Sequence, residues 1–245
     1  MDAEAFRNFE RAAHERVAGG YHDFFEPMTG GAIMALLDAA RVRAGCRVLD
    51  VASGPGGVAA AAAERGASRV IGADLSSRMV ALAATLHPGV EFREADAEAL
   101  PFDAGAFDAV VSNFGVGHFP SPERTMAEFV RVLAGGGMAA VTWWELPARN
   151  RVNGVFFDAV SQAGAPPPPG LPAGPARVPL LRRDRAPRAS QRGRARRRGG
   201  ERGDVGASGS ELRGVVARRP RQPRAGLGQH SRPGADDAAE DLRRL

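Results

Sequence analysis

Residues 48–57, Val-Leu-Asp-Val-Ala-Ser-Gly-Pro-Gly-Gly, constrain the whole chain, because an apolar run stops there in a glycine-rich turn. Val48, Leu49 and Val51 predict a short buried strand, and Gly54, Gly56 and Gly57 let the backbone turn sharply and approach a ligand closely. The Ala-rich run from Val58 to Arg65 predicts a helix whose free N–H groups and positive dipole end face that ligand. Strand, glycine turn and helix start together suit a nucleotide-like molecule. A tight βα turn with no ligand carries the same local signature, so the glycines alone leave both readings open.

The polar residues downstream decide between them. Residues 69–75 form a second apolar strand ending in Asp74, at the spacing where a carboxylate grips ribose hydroxyls. A third strand over 90–95 runs into Asp96, and a fourth over 107–112 ends at Asn113. Each polar residue sits just past the C-terminal end of a strand, the edge where open parallel sheets bind ligands.

The segments VLDVASGPGG, VIGADLSSRM, FREADAEALPF and FDAVVSNFGVGHF resemble the successive motifs of class I S-adenosylmethionine-dependent methyltransferases. The likeness is greatest to the small-molecule branch that includes the ubiquinone- and menaquinone-type enzymes, over residues 20–165. It implies an α/β, doubly wound, mostly parallel Rossmann-like sheet of strand order 3-2-1-4-5, with S-adenosylmethionine at the switch point beside strand one. It further implies that Asp50, Ala52, Gly54 and Gly56 border the methionine end of the cofactor, and that Asp74 with Leu75 holds the ribose. Met79 then lies against the adenine, Asp96 with Ala97 reads the adenine edge, and Asn113 and Phe114 complete the cofactor site. Two positions depart from the family's D-x-G-x-G-x-G pattern: the first glycine is Ala52 and the middle position is Pro55. A methyl at position 52 is tolerated on condition that its backbone keeps φ below zero.

A nicotinamide dinucleotide fold competes for the same turn, since Gly54-Pro55-Gly56-Gly57-Val58-Ala59 also fits G-x-G-x-x-G/A with Asp74 downstream. Asp50 argues against it. A pyrophosphate would meet an unwanted negative charge there, whereas the sulfonium and ammonium of S-adenosylmethionine suit a carboxylate.

The 245 residues allow one large domain, or one domain with an appendage, and their 44% hydrophobic content supplies a sizeable core. We divide them into N-terminal helices over 1–45, a cofactor-binding core over 46–165 and a tail over 166–245. No apolar run is long enough to span a membrane, and Met1-Asp2-Ala3-Glu4 lacks the basic flank of a secretion signal, so a cytoplasmic protein is expected. Cys46, the single cysteine, reads as a small core filler. Phe6, Phe9, Ala13 and Val17 predict an amphipathic helix over 3–18, followed by a short connector and a second helix from Met34 to before Gly45. By resemblance such helices cover the cofactor and wall the acceptor pocket, making Tyr21, Phe24 and Phe25 lid candidates; plain packing of two helices on the sheet explains the same aromatics.

The loop after strand four, Asn113-Phe114-Gly115-Val116-Gly117-His118-Phe119, is where the acceptor is expected. His118 has two readings, a base that takes the acceptor's proton or a side chain that only shapes the pocket. No metal is called for, as His14, His22, His87, His118 and His230 are scattered without ligand spacing. Ser121 and Pro122 open a further helix that Gly135–Gly137 should end, and 138–144 should form strand five. Trp143 and Trp144 alternate on that strand, so at most one points at the pocket. One more helix should follow and end near Gly164.

From Pro166 the character of the chain changes. Residues 1–175 hold 14 Arg against 20 acidic residues, a balance of −6, and residues 176–245 hold 19 Arg against 8, a balance of +11. Leu and Val number 10 of the last 70 residues, which otherwise have no large apolar side chain, so this segment should be loosely structured and the family's closing strands missing. Out-of-frame translation of a GC-rich gene yields this Arg, Ala, Gly and Pro bias, and strand patterns in an alternative reading frame would reveal it. Strand five is then left as an exposed edge prone to association.

The reading is methyl transfer from S-adenosylmethionine to an oxygen, carbon or nitrogen of a small molecule. Two alternatives stay open: a nucleic-acid methyltransferase using the Arg-rich tail, and a non-catalytic cofactor-binding remnant. Nucleic acid is disfavoured because the tail has no aromatics for base stacking and the post-strand-four loop reads Ser-Asn-Phe-Gly, without an Asn/Asp-Pro-Pro-aromatic run.

Overall fold

The apolar run before the glycine turn becomes the central strand of a sheet in the computed structural model, which describes residues 2–144, 151–164, 172 and 212–219. β1 (Arg47–Val51) pairs in parallel with β2 (Arg69–Asp74) on one side and β4 (Phe107–Asn113) on the other. β3 (Glu91–Glu94) lies outside β2 and β5 (Leu133–Trp144) outside β4, both parallel, so this part of the sheet has the expected order 3-2-1-4-5. The chain reverses its direction of travel across the sheet between β1 and β4, which opens a crevice at their carboxyl ends.

Side chains alternate across β1. Leu49 and Val51 enter one layer with Ile71, Phe107, Phe129 and Leu133, while Val48 enters the other with Leu37, Val58 and Ala59. The first layer is covered by α5 (Pro122–Val132), the second by α2 (Ile33–Ala39) and α3 (Gly57–Glu64). α4 (Ser77–Leu86) packs against β2 and β3. Both faces are buried over β1, β2 and β4, which is why these strands read as nearly continuous apolar runs, whereas the edge strand β3, Glu-Phe-Arg-Glu, is largely exposed. Leu37, Leu49, Ile71, Phe107 and Phe129 are fully buried, each favouring the fold by about 1.5–3 kcal/mol.

Three expectations need correction. α1 runs unbroken from Ala3 to Gly30, through the stretch expected to be a connector and with Pro27 inside it. Gly19 and Gly20 each cost a helix only about 1 kcal/mol, too little to end one that is capped by Asp2 and packs along α4. Gly135–Gly137 do not separate α5 from β5, since the strand begins at Leu133 and a register shift between Phe107 and Ala109 absorbs the irregularity. The absence of a side chain at Gly137 permits a close backbone approach, because a Cβ there would lie 2.9 Å from the Asp108 carbonyl oxygen.

The third correction concerns the closing strands. β6 (Leu212–Arg218) pairs antiparallel with β5, from Met138 opposite Arg218 to Trp144 opposite Leu212. The Arg219 backbone then exchanges hydrogen bonds with Gly136 and Gly137 at 3.0 and 3.1 Å, and its Nη1 donates to the carbonyls of Arg131 and Leu133. An edge offers unpaired backbone groups, so a short run such as Leu-Arg-Gly-Val-Val-Ala-Arg can pair with it without the apolar alternation that the sequence reading sought. α6 (Arg151–Gln162) supplies the expected last helix. The expectation of a loosely structured tail falls, apart from Pro172 and 212–219, outside the described residues. Among the described residues no helix is long and apolar enough to cross a membrane.

Candidate active site

The carboxyl ends of the parallel strands open into a cavity of about 730 Å³, counting its mouth, with α1 as its roof. Ala52, Gly54, Asp74, Leu75, Met79, Asp96, Ala97, Asn113 and Phe114, all predicted site residues, line it. A smaller hollow of about 370 Å³ shares Tyr21, Ala52, Gly54 and Asn113 with the first and continues toward α2 and α3 past Glu26, Ser53 and Gly57. The two form a trough bent around the glycine turn.

Asp74 ends β2 and holds this geometry. Its Oδ2 accepts the Gly54 amide and its Oδ1 the Ser76 amide, both at 2.9 Å, so one carboxylate locks the turn after β1 to the start of α4. Burial raises its carboxyl above the usual range, against the opposing pull of those two amides and of His14 and His118. Asp50 lies one residue before the end of β1, fully buried on the side of Val48, and lines neither hollow. Neither of its oxygens has a hydrogen-bond partner of good geometry, and burial, reinforced by the Asp74 charge and only weakly opposed by the Ala59 amide, pushes its carboxyl well above the ordinary value.

Ala52 departs from expectation. Its φ is +57°, in the left-handed region that the sequence reading excluded. The turn is confined from above: a Cβ on Gly115 would stand 2.7 Å from the Ala52 methyl and would collide with Ser112 Oγ. Phe114 repeats the strain at the end of β4 with φ +60°. Left-handed backbone costs an L-residue about 1–2 kcal/mol, and both strained residues line the cavity. Gly56 lies outside both hollows; its φ of +94° caps α3, and a Cβ there would meet the Phe92 ring at 2.6 Å. Its lack of a side chain is required by packing.

Tyr21 and His118 line the cavity, but Phe24 and Phe25 do not. Because α1 stays helical, Phe24 is carried outward and is 69% exposed, while Phe25 stacks on Tyr21 with ring centroids 5.2 Å apart. Burial raises the Tyr21 hydroxyl pKa, with Asp74 and Glu26 adding to the shift. Neither tryptophan lines the cavity; Trp144 packs on Phe114 at 4.3 Å between centroids. Asn113 ties the roof to the sheet, donating to the Thr29 carbonyl at 3.2 Å and accepting from Thr142 Oγ1 at 2.6 Å.

Sequence reasoning missed Arg7, Glu10, Arg11 and His14, which line the cavity from α1. Their spacing of three and four places them on one helical face, a polar stripe that reads like a solvated surface until something is laid against it. Arg7 Nε stands 2.8 Å from Asp96 Oδ2 and its Nη2 3.1 Å from Glu98 Oε2, so the residue expected to read adenine also anchors the roof. His118 ends a 3₁₀ turn (Val116–His118), and its Nδ1 lies 2.9 Å from Glu10 Oε2. His14 stands edge-on to the His118 ring at 4.8 Å, and its Nδ1 donates to the Glu10 carbonyl at 2.8 Å. These two histidines are therefore not scattered, because α1 crosses the strand ends and brings its polar stripe over the loop after β4.

Chemically, the trough offers the buried Asp74 carboxylate on its floor beside Gly54, an apolar slot at Met79 and Ala97, and imidazoles on the opposite wall. An elongated ligand with a cationic centre and an aromatic end matches this distribution.

Residues 49–141 match the family described as methyltransferase domain. The chain is 42% identical over 106 residues to demethylmenaquinone methyltransferase of Chlorobaculum tepidum, covering 43% of each protein. It is 39% identical over 132 residues to demethylmenaquinone methyltransferase of Thermus thermophilus, covering 51% of this chain and 60% of that one. It thus spans less than two thirds of either relative. Among solved structures, a chain from the complex between the Haloferax volcanii Trm112 methyltransferase activator and a methyltransferase superposes with a TM-score of 0.52 at 24% identity, over 60% of this chain and 66% of that one, a likeness of fold.

Proposed function

We propose that this chain, whose residues 49–141 match a methyltransferase domain, is a class I S-adenosylmethionine-dependent enzyme that transfers a methyl group to an oxygen, carbon or nitrogen of a small-molecule acceptor. The observation that carries this reading is the unpartnered, fully buried Asp50 carboxylate behind a trough walled by Asp74 and Asp96. A buried carboxyl without a partner is unfavourable by itself, and a cationic ligand nearby relieves it.

When bound, S-adenosylmethionine supplies an electrophilic methyl on a positively charged sulfur. In our reading Ala52 and Gly54 border its methionine end with the Asp50 charge buried behind them rather than in contact, Asp74 with Leu75 holds the ribose, Met79 and Ala97 flank the adenine, and Asn113 and Phe114 close the site. Asp96 divides its carboxylate between the adenine edge and Arg7. The protein's main contribution is to hold acceptor and methyl in line, which supplies about 7–11 kcal/mol. His118, turned by Glu10, stands on the acceptor wall with its second nitrogen available for a proton.

The roof favours a small acceptor over a nucleic acid, since α1 is pinned across the strand ends at Arg7, Glu10 and Thr29. The two relatives are named for demethylmenaquinone, which makes quinol-like rings the first acceptors to try. A cytoplasmic setting suits the buried, unpaired Cys46.

Calorimetric titration of the full chain tests the reading. S-adenosylmethionine is expected to bind and NAD(H) not to, and labelled methyl is expected on small aromatic acceptors in preference to RNA. Binding of NAD(H) alone would overturn it.

A further inference from the structure

The residues that sequence reasoning missed carry more than a roof contact. Glu10 and His14 lie one turn apart on α1, and His118 comes from the loop after β4, yet one ligand atom from each lies within 4.8 Å of the others. All three line the cavity, at its acceptor wall. We propose that Glu10, His14 and His118 form a binding site for a divalent first-row transition-metal ion inside the methyltransferase cavity.

Two imidazoles and one carboxylate are the donor set that zinc and its neighbours prefer, and three protein ligands with open positions mark a site that also takes water or substrate. The supporting contacts agree. His14 Nδ1 donates to the Glu10 carbonyl, so that nitrogen carries the proton and Nε2 keeps the lone pair a metal needs. Such a backbone hydrogen bond is the outer-shell contact that orients ligating histidines. Glu10 Oε2 stands 2.9 Å from His118 Nδ1, so the carboxylate and one imidazole already converge, and the His14 ring stands edge-on to that imidazole at 4.8 Å between centroids. Charge is balanced as well: Arg7 is neutralised by Asp96 and Glu98, and Glu10 and the nearby Asp74 offset the added cation and Arg11.

The site itself does not depend on the methyl-transfer reading, but its use rests on it. An ion held here has open positions toward the acceptor, so it selects acceptors with an oxygen donor, a hydroxyl or a carboxylate. A hydroxyl bound to it loses its proton to solvent closer to neutral pH. His118 is then a ligand, and the role of base that it holds in the metal-free protein lapses; the two states are exclusive.

The test uses the full chain with Co²⁺ and Zn²⁺, read by equilibrium dialysis and the visible absorption of bound Co²⁺. The expected result is one ion per chain, with affinity falling at least about tenfold in each of Glu10→Gln, His14→Gln and His118→Gln and unchanged in His87→Gln. Circular dichroism and a cooperative thermal melt of each variant establish that it is folded. No bound Co²⁺, binding that survives all three substitutions, or equal loss in His87→Gln overturns the site. Because metal is measured without turnover, a failure of the methyl-transfer reading appears separately, as a protein that binds metal but not S-adenosylmethionine.

Discussion

Asp50 is the residue on which the cofactor reading turns, and its protonation can be followed without any ligand. Its folded carboxyl titrates well above the ordinary 3.8, first because it is buried and next because Asp74 is near. The native form therefore holds its proton longer than the unfolded chain, so Asp50's contribution to stability is full below 3.8 and is lost as pH rises toward the elevated value. Asp74 acts in the same direction, while Asp108 and Glu128, held below the usual range by Arg47 and Arg131, act oppositely. The difference between wild type and Asp50→Asn isolates the one group. Denaturant melts from pH 4 to 8 should show the ligand-free wild type losing stability relative to Asp50→Asn as pH rises, by about 1.4 kcal/mol for each unit of displacement. Parallel pH profiles would refute the buried, unpartnered carboxylate. At neutral pH the same variant should bind S-adenosylmethionine about tenfold more weakly, as expected when a buried acidic group behind a cationic ligand is made neutral. Ala52 gives a second prediction at this scale. Ala52→Gly relieves a left-handed backbone but loosens the unfolded chain, a net gain of about 0.5–1 kcal/mol in chemical denaturation; a net loss would mean that φ is not strained in solution.

Among the elements, α1 shows most plainly what a sequence reading can and cannot extract. Its first four turns were legible from Phe6, Phe9, Ala13 and Val17, whose spacing marks an apolar stripe. Its continuation past Gly19-Gly20 was not, because what keeps those residues helical is tertiary packing. Nor was its second working face, since Arg7, Glu10 and His14 are read as solvated when no partner is in view. The cost of opening that face should be measurable. Arg7→Ala removes the ion pairs to Asp96 and Glu98, and the Glu98 side chain is only 1% exposed, so a buried acid loses one of its cationic partners and keeps the Ser121 amide and the more distant Arg124. We expect a stability loss of about 1–3 kcal/mol and faster amide exchange along α1, together with quicker release of S-adenosylmethionine from a less firmly held roof. Unchanged exchange in α1 would show that the anchor lies elsewhere. At the other side of the sheet, Arg219 donates to the last turn of α5 and the first residue of β5. Arg219→Ala should cost about 1–2 kcal/mol and raise amide exchange at Gly136, leaving cofactor affinity untouched.

For the molecule as a whole, the parallel sheet was legible because its central strands, covered on both faces, are mostly apolar, and because Asp74 and Asn113 end β2 and β4 while Asp96 closely follows β3. β6 was not legible, since edge pairing is a matter of backbone donors and acceptors, which every residue but proline carries. That strand therefore separates what the fold needs in order to bind from what it needs in order to stay monodisperse. Every described residue lining the two hollows precedes 121, while β6 covers β5 from Met138 to Trp144. A chain ending at Gly164 should accordingly bind S-adenosylmethionine within a few-fold of the full chain, yet expose the edge of β5 and associate. Light scattering coupled to gel filtration should show its apparent mass rising with concentration more steeply than that of the full chain. If the shortened chain behaved identically in scattering, β6 would not be guarding the edge. If it lost S-adenosylmethionine binding while remaining folded, the sheet would be transmitting the pairing at β5 across to Asn113 and Phe114, the two residues that Thr142 of β5 holds by hydrogen bonds at 2.6 and 3.0 Å.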